Sequence, residues 1–339
     1  MRPCIVDAHY DLLYDVFRLR RKGERKVVER FYLGDLRTAG VNVLICSLFV
    51  PNEYVPEMAL RVALDQIGML HCEIEESPNL FALCRNAAEV RRTVDAGRTA
   101  LLLSFEGADP LGSDLVLLRP FYELGVRFLG LTWSRRNQAA DGCRFQPVAE
   151  GTAGGLTPFG AALIEEAERL GMIVDVSHLN DAGFFDVVGF AKRPFIASHS
   201  NARALCDAAR NLTDAQIRAL ASRGGVMGLN NMLNFVYPKS EEPSRPDSPP
   251  SVRIPEGAPA WEGLLEHARH VIDLVGEDHV GFGFDLCEFQ KPEEERNLSV
   301  FRTYRDTVPF LKAVRSAFSR DVAEKIIQGN WMRIIETLR

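Results

Sequence analysis

Gly171-Met-Ile-Val-Asp-Val-Ser-His178 and, one helix-length further on, Arg193-Pro-Phe-Ile-Ala-Ser-His-Ser200 decide how this chain folds. Each is a short apolar run of β-forming residues ending in Ser-His, at His178 and His199. The segment between them, Asp181 to Lys192, is amphipathic and about as long as one helix. Strand, helix, strand with no hairpin signal is a parallel β-α-β unit, because parallel strands need such a crossover. Functional groups gather at the carboxyl ends of parallel strands, so both imidazoles are candidate site residues rather than core filler.

The alternation continues on both sides. Strand-like runs cover Cys4 to Asp11, Gly40 to Phe49, Thr99 to Phe105 and Gly125 to Trp133 upstream, then Gly225 to Asn230 and His279 to Asp285 downstream. Helical periodicity falls between them: Pro56 to Ile74, Ala87 to Ala96, Leu115 to Leu124, Asn201 to Ala209, Thr213 to Ser222 and Trp261 to Val275. A further helix opens at Thr157-Pro158, an N-cap followed by proline at the first position, and shows the stripe Ala161, Leu163, Ile164, Ala167, Leu170. Two helices end the chain, with Gly329-Asn330 read as the break between them. Eight strands alternating with helices, and no internal repeat, predict one α/β domain over 1–339, a (β/α)8 TIM-like barrel of the metal-dependent hydrolase type. Asn137 to Gly155 reads as a Gly-rich loop. Val236 to Ala260 carries seven prolines and is expected as a long loop on the active-site face, since it joins a strand to a helix within the pattern.

Composition excludes several classes. With 46% hydrophobic and 25% charged residues, a large core is available and disorder is not the default. A net charge of −6 argues against a nucleic-acid surface. The one basic stretch, Arg18 to Lys26, is expected to be a solvated face. Seven scattered cysteines with no Cys-x-x-Cys pair fit a reduced cytoplasmic protein better than a disulfide framework or a zinc knuckle. No secretory signal, lipid-anchor signal or apolar run of about 18 residues is present, so the expectation is a soluble, cytoplasmic chain with no membrane partner.

The site candidates come from what else reaches the strand carboxyl ends. Strand alternation puts His9 and Asp11 on one face; Asp7 shares their parity but lies deeper and is read as structural. Glu106 closes an apolar run, where a carboxylate is costly to bury unless it is paired or bound to metal. Asp285 closes the last strand. The other histidines lack this placement: His71 lies within a helix, His267 and His270 read as surface, and His279 starts a strand. Three imidazoles with carboxylates suit zinc or another borderline divalent ion. They are too many for one tetrahedral site. Two ions bridged by Glu106 is the economical arrangement, with a shared hydroxide as nucleophile and Asp285 shuttling its proton.

A series of short strings now falls into order: Asp7-Ala-His-Tyr-Asp11, Phe105-Glu-Gly107, Leu131-Thr132, Gly155-Leu-Thr-Pro-Phe-Gly160, Asp175-Val-Ser-His178, Ser198-His-Ser200, Arg210-Asn211, Val280-Gly-Phe-Gly-Phe-Asp285 and Gly329-Asn330. In that order and spacing the chain resembles the membrane dipeptidase (renal dipeptidase) family of metallopeptidases over nearly its whole length. The resemblance implies a TIM-like barrel with two Zn2+ per subunit that hydrolyses dipeptides, some with a D-residue at the C-terminal position. It implies His9 and Asp11 on one ion, His178 and His199 on the other, and Glu106 between them. Asp285 would lie next to the bridging water, and Arg210 would take the substrate's terminal carboxylate, which a guanidinium can fork onto bidentately. A homodimer is implied by the same analogy.

Three positions depart from the family. Trp133 stands where the renal enzyme has a histidine that contacts substrate, and an indole offers a single N–H donor. Asp285-Leu-Cys-Glu288 replaces Asp-Phe-Asp-Gly, and Asn230-Asn231 stands where an aromatic is common. Trp133 is therefore expected at the substrate, with Asn137 or Arg135 supplying the missing donor, unless the substrate differs. Other substrates for the same chemistry would be N-acyl amino acids, lactones or cyclic amides. A non-catalytic ligand-binding barrel would require missing ligands, and none is missing.

Overall fold

The computed structural model describes residues 4–145, 151, 153–239, 252–287 and 298–338. Its strands are β1 (Ile5–Tyr10), β2 (Val41–Phe49), β3 (Phe81–Leu83), β4 (Thr99–Glu106), β5 (Val126–Gly130), β6 (Ile173–Asp175), β7 (Met227–Leu229) and β8 (Val280–Phe282). Apart from β3 they lie side by side in the order β6-β5-β4-β2-β1-β8-β7, every pair parallel. The ring closes through residues 195–197: Asp175 pairs with Ile196, and Ala197 with Met227, both parallel. The predicted strand that carries His199 is thus two bridges rather than a ladder. Pro194 has no N–H to give, and the Ser198 N–H goes to the Asp175 carboxylate instead of a neighbouring backbone. The short β3, which pairs with the start of β4, has too few residues to show a period in sequence.

Strand alternation builds two apolar layers. Val6, Ala8, Val43, Ile45, Ala100, Leu102, Phe128, Ile173 and Ile196 form the inner cluster, closed by Trp331 from the last helix. Their neighbours Leu44, Cys46, Leu101, Leu103, Leu129 and Val174 belong to the outer cluster against the helices. On β4 the inner face reads Ala100, Leu102, Ser104, Glu106, which delivers the glutamate to the barrel mouth. In β1 the register slips: Asp7 lies opposite Leu44 but Tyr10 opposite Cys46, a bulge that re-aims the chain at His9. Asp7 accepts the Tyr304 hydroxyl at 2.6 Å and the Phe284 N–H at 2.9 Å, a structural role as expected.

Four expectations change. Residues 201–209 form turns rather than a helix, because Asn201 and Asn211 spend their amides on the carbonyls of Asn230, Phe235 and Cys206. Helix continues through Gly329-Asn330; the break falls earlier, where Ser319 caps Arg320–Glu324. Asn330 instead ties its helix to the carbonyls of Glu277 and Val280. The basic stretch is only partly a solvated face, since the Arg20 side chain is buried between Glu73 and Glu76. His267 is 1% exposed, not on the surface: it accepts the Ala202 N–H and faces the Val236 carbonyl. Residues 240–251 of the proline-rich loop and Glu288 lie outside the described residues, as do 146–150 and 152 of the Gly-rich loop. Among the described residues no helix is long and apolar enough to cross a membrane, and no disulfide joins the seven cysteines.

Candidate metal centre

His9, Asp11, Glu106, His178, His199 and Asp285 meet at the carboxyl end of the barrel. Glu106 stands at the centre. Its Oε2 lies 3.6 Å from His9 Nε2, and its Oε1 lies 3.2 Å from His178 Nε2 and 3.8 Å from His199 Nε2. His9 Nε2 is also 3.5 Å from Asp11 Oδ1 and 3.8 Å from Asp285 Oδ1. Two ligand groups follow, His9 with Asp11 and Glu106, and Glu106 with His178 and His199; His9, His199 and Asp285 form a third overlapping set.

The donor chemistry fits divalent cations. His178 Nε2 and His199 Nε2 are 2.9 Å apart, and two ring nitrogens that close share either a proton or a cation. Neither ring nitrogen of His9, nor Oε2 of Glu106, makes a hydrogen bond among the described residues, although all are buried. Burial, then Arg210 and His9, holds His178 well below the ordinary histidine range. His199 is lowered in the same way by burial, His9 and Arg210, so both rings are neutral and have lone pairs to give. Burial opposes the charged ring of His9, but Glu106 and Asp11 outweigh it and hold that pKa well above the usual value. Burial pushes the Glu106 carboxyl up to about 8, with Asp11 adding to the rise. Carboxylates packed this closely need positive charge, from protons or from metal.

Neighbours that sequence reading missed fix the ligands in place. Ser134 Oγ is 2.8 Å from His178 Nδ1, and Ser198 Oγ is 2.7 Å from His199 Nδ1. Each hydroxyl sets its ring's orientation and tautomer. Asp11 is bonded by the Ser47 hydroxyl. Asn230 Nδ2 donates to Asp285 Oδ2 at 2.9 Å, while its own Oδ1 takes the Met232 N–H. The Ser198-His199 pair was a signal for one hydroxyl, whereas Ser177 accepts the His199 N–H; nothing local pointed to Ser134, and Asn230 stood out only as a departure at a strand end. His178 and Asp285 have φ of +69° and +60°, the left-handed region that side chains disfavour, and such strain collects at functional sites.

Beside the metal ligands is a cavity of about 670 Å³ lined by Glu106, Trp133, His178, Arg210 and Asp285 among others. Arg210 is 4% exposed and donates from Nη1 to Ser200 Oγ at 2.8 Å. Its Nε and Nη2 find no acceptor among the described residues. Trp133 lines the same cavity. Asn137 does not: its amide holds the Leu131 carbonyl at 2.9 Å and accepts the N–H groups of Ala139 and Ala140. Arg135 is likewise engaged, with Asp109, Asn52 and the Val50 carbonyl. Both residues are thus engaged within the protein, and neither lines the cavity.

Buried histidines and carboxylates converging at the mouth of a parallel barrel define a metal-dependent hydrolase. The model of the membrane dipeptidase family, peptidase family M19, matches residues 2–339, and the chain belongs to this family of metallodipeptidases. The chain is 31% identical over 285 residues to an uncharacterized protein from the pqqA 5′ region of Klebsiella pneumoniae, covering 84% of this chain and 98% of that one. It is 31% identical to dipeptidase verJ of Clonostachys rogersoniana, covering 74% of this chain and 62% of that protein. A metallopeptidase from Rhodobacter sphaeroides, liganded with a phosphinate mimic of the dipeptide L-Ala-D-Ala, superposes with a TM-score of 0.82 at 30% identity, covering 99% of each chain. The metallopeptidase dipeptidase AC gives a TM-score of 0.83 at 30% identity, covering 100% of this chain and 99% of that one.

Proposed function

We propose that the chain is a dinuclear zinc dipeptidase, with His9 and Asp11 on one ion, His178 and His199 on the other, and Glu106 shared. The observation that carries this is the orientation of Glu106, whose two oxygens face different ligand groups. Ions held there would make a water nucleophilic at neutral pH and polarise the scissile carbonyl. The protein's own groups do the rest. Arg210 binds the substrate's terminal carboxylate through Nε and Nη2, which have no other acceptor among the described residues. That contact fixes the peptide bond's position relative to the metal ligands. Asp285, steadied at Oδ2 by Asn230, turns Oδ1 toward His9; there it takes the attacking water's proton and passes it to the leaving amine. The L-Ala-D-Ala mimic bound by the Rhodobacter relative supports including L,D-dipeptides among the substrates. A cytoplasmic homodimer completes the proposal, and light scattering tests the dimer.

The test combines metal content with turnover. Purified protein should carry close to two zinc ions per chain, and Glu106→Gln fewer. The zinc-loaded enzyme should cleave members of a panel of L,L- and L,D-dipeptides. Inactivity against the whole panel would overturn the proposal.

A further inference from the structure

Four aromatic rings run in a row along the cavity. Ring centroids are 5.5 Å apart from Phe49 to Trp133, 5.6 Å from Trp133 to Phe145 and 6.0 Å from Phe145 to Phe235. All four line the cavity that contains Glu106, His178 and Arg210. The row has a direction relative to the chemistry. Trp133 and Phe145 lie 5.9 and 6.4 Å from the His178 ring. At the far end, the Phe235 carbonyl accepts Nδ2 of Asn211, the neighbour of Arg210, at 2.8 Å. Trp133, Phe145 and Phe235 thus share one cavity with His178 and Arg210, with Trp133 and Phe145 on its metal-ligand side.

A dipeptide has one Cα between its scissile bond and its terminal carboxylate. With the bond at Glu106 and His178 and the carboxylate on Arg210, the C-terminal side chain leaves from that Cα, beside the aromatic row. Phe145 is 48% exposed, so its ring face is apolar surface open to cover. A methyl group would leave it wet, whereas a large apolar side chain would remove it from water and stack against it. Cavities of about 300–1,000 Å³ hold ligands of drug size, and the 670 Å³ here accommodates more than two small residues.

We infer that this site selects dipeptides with a large apolar, above all aromatic, C-terminal residue, and that Trp133 and Phe145 determine the selection. This rests on the dipeptidase reading. The experiment measures kcat/KM of the zinc-loaded enzyme for Ala-Phe, Ala-Ala and Phe-Ala, with the C-terminal residue in both L and D forms. Ala-Phe should exceed Ala-Ala about ten-fold or more, chiefly through KM, and should also exceed Phe-Ala. Phe145→Ala, in an exposed loop, and Trp133→Leu should each move the Ala-Phe to Ala-Ala ratio toward one. Hydrolysis with a ratio near one in the wild type, with Phe-Ala the better substrate, or with ratios unchanged in both variants overturns the selection alone. No hydrolysis of any dipeptide overturns the dipeptidase reading and the selection with it.

Discussion

Replacing Arg210 with methionine tests whether a buried cation is held ready for a carboxylate. The residue is 4% exposed, and its guanidinium keeps Ser200 Oγ as a partner and has Nε and Nη2 without an acceptor among the described residues. Leaving buried donors unsatisfied costs about 1–3 kcal/mol each, and a charge-assisted bond restores about 1.5–3 kcal/mol. Taking about 3 kcal/mol as the net worth of the pair once the substrate's own desolvation is counted, the loss in kcat/KM is about 100-fold. The assay compares a dipeptide with its C-terminal amide, which lacks the anionic charge. Arg210→Met should lose that factor on the acid and little on the amide, and Arg210→Lys should recover only part, because an ammonium cannot fork. With no substrate bound, the methionine variant should melt at a temperature equal to or above that of the wild type, since an incompletely paired buried charge has been removed. Equal losses on acid and amide, or a clearly destabilised variant, would refute the clamp.

Other expectations follow from single contacts. Asn230→Ala should lower kcat about 10- to 100-fold with KM and zinc content little changed, because the lost bond steadies Asp285 rather than the substrate; an unchanged kcat counts against it. Ser134→Ala and Ser198→Ala should each weaken zinc affinity about 10- to 100-fold in chelator competition, since each hydroxyl orients one ring. Burial lowers His267 to about 4, so the folded state excludes a proton that the unfolded chain takes up below its ordinary value near 6.5. Stability from this group is therefore complete above pH 6.5 and drains as pH falls toward 4, by about 3 kcal/mol at most. Denaturant melts of wild type and His267→Gln across that window should converge on acidification; parallel curves would contradict the burial.

Strand patterns were legible because they are local. The apolar run leading to His178, the run closed by Glu106 and the Thr157 cap each declare themselves within a few residues, and the structure places them as read. Departures arose where a distant partner overrode the local signal. His267 looked like a surface residue until Val236 and Ala202 covered it. Residues 201–209 look helical, yet Asn201 within them and Asn211 just beyond bond across the fold instead. Asn137 was a reasonable donor by proximity, and a loop that needs its amide consumes it.

By itself the sequence determined which residues stand at the strand ends, and hence the chemistry available, because side-chain period and strand termination depend on near neighbours. Only the tertiary structure decided how those residues face one another. The two directions of Glu106, the hydrogen bond from Asn230 to Asp285, the unsatisfied donors of Arg210 and the aromatic row from Phe49 to Phe235 join residues far apart in the chain. They exist because a closed parallel barrel gathers its strand ends onto one rim, a geometry no single segment contains.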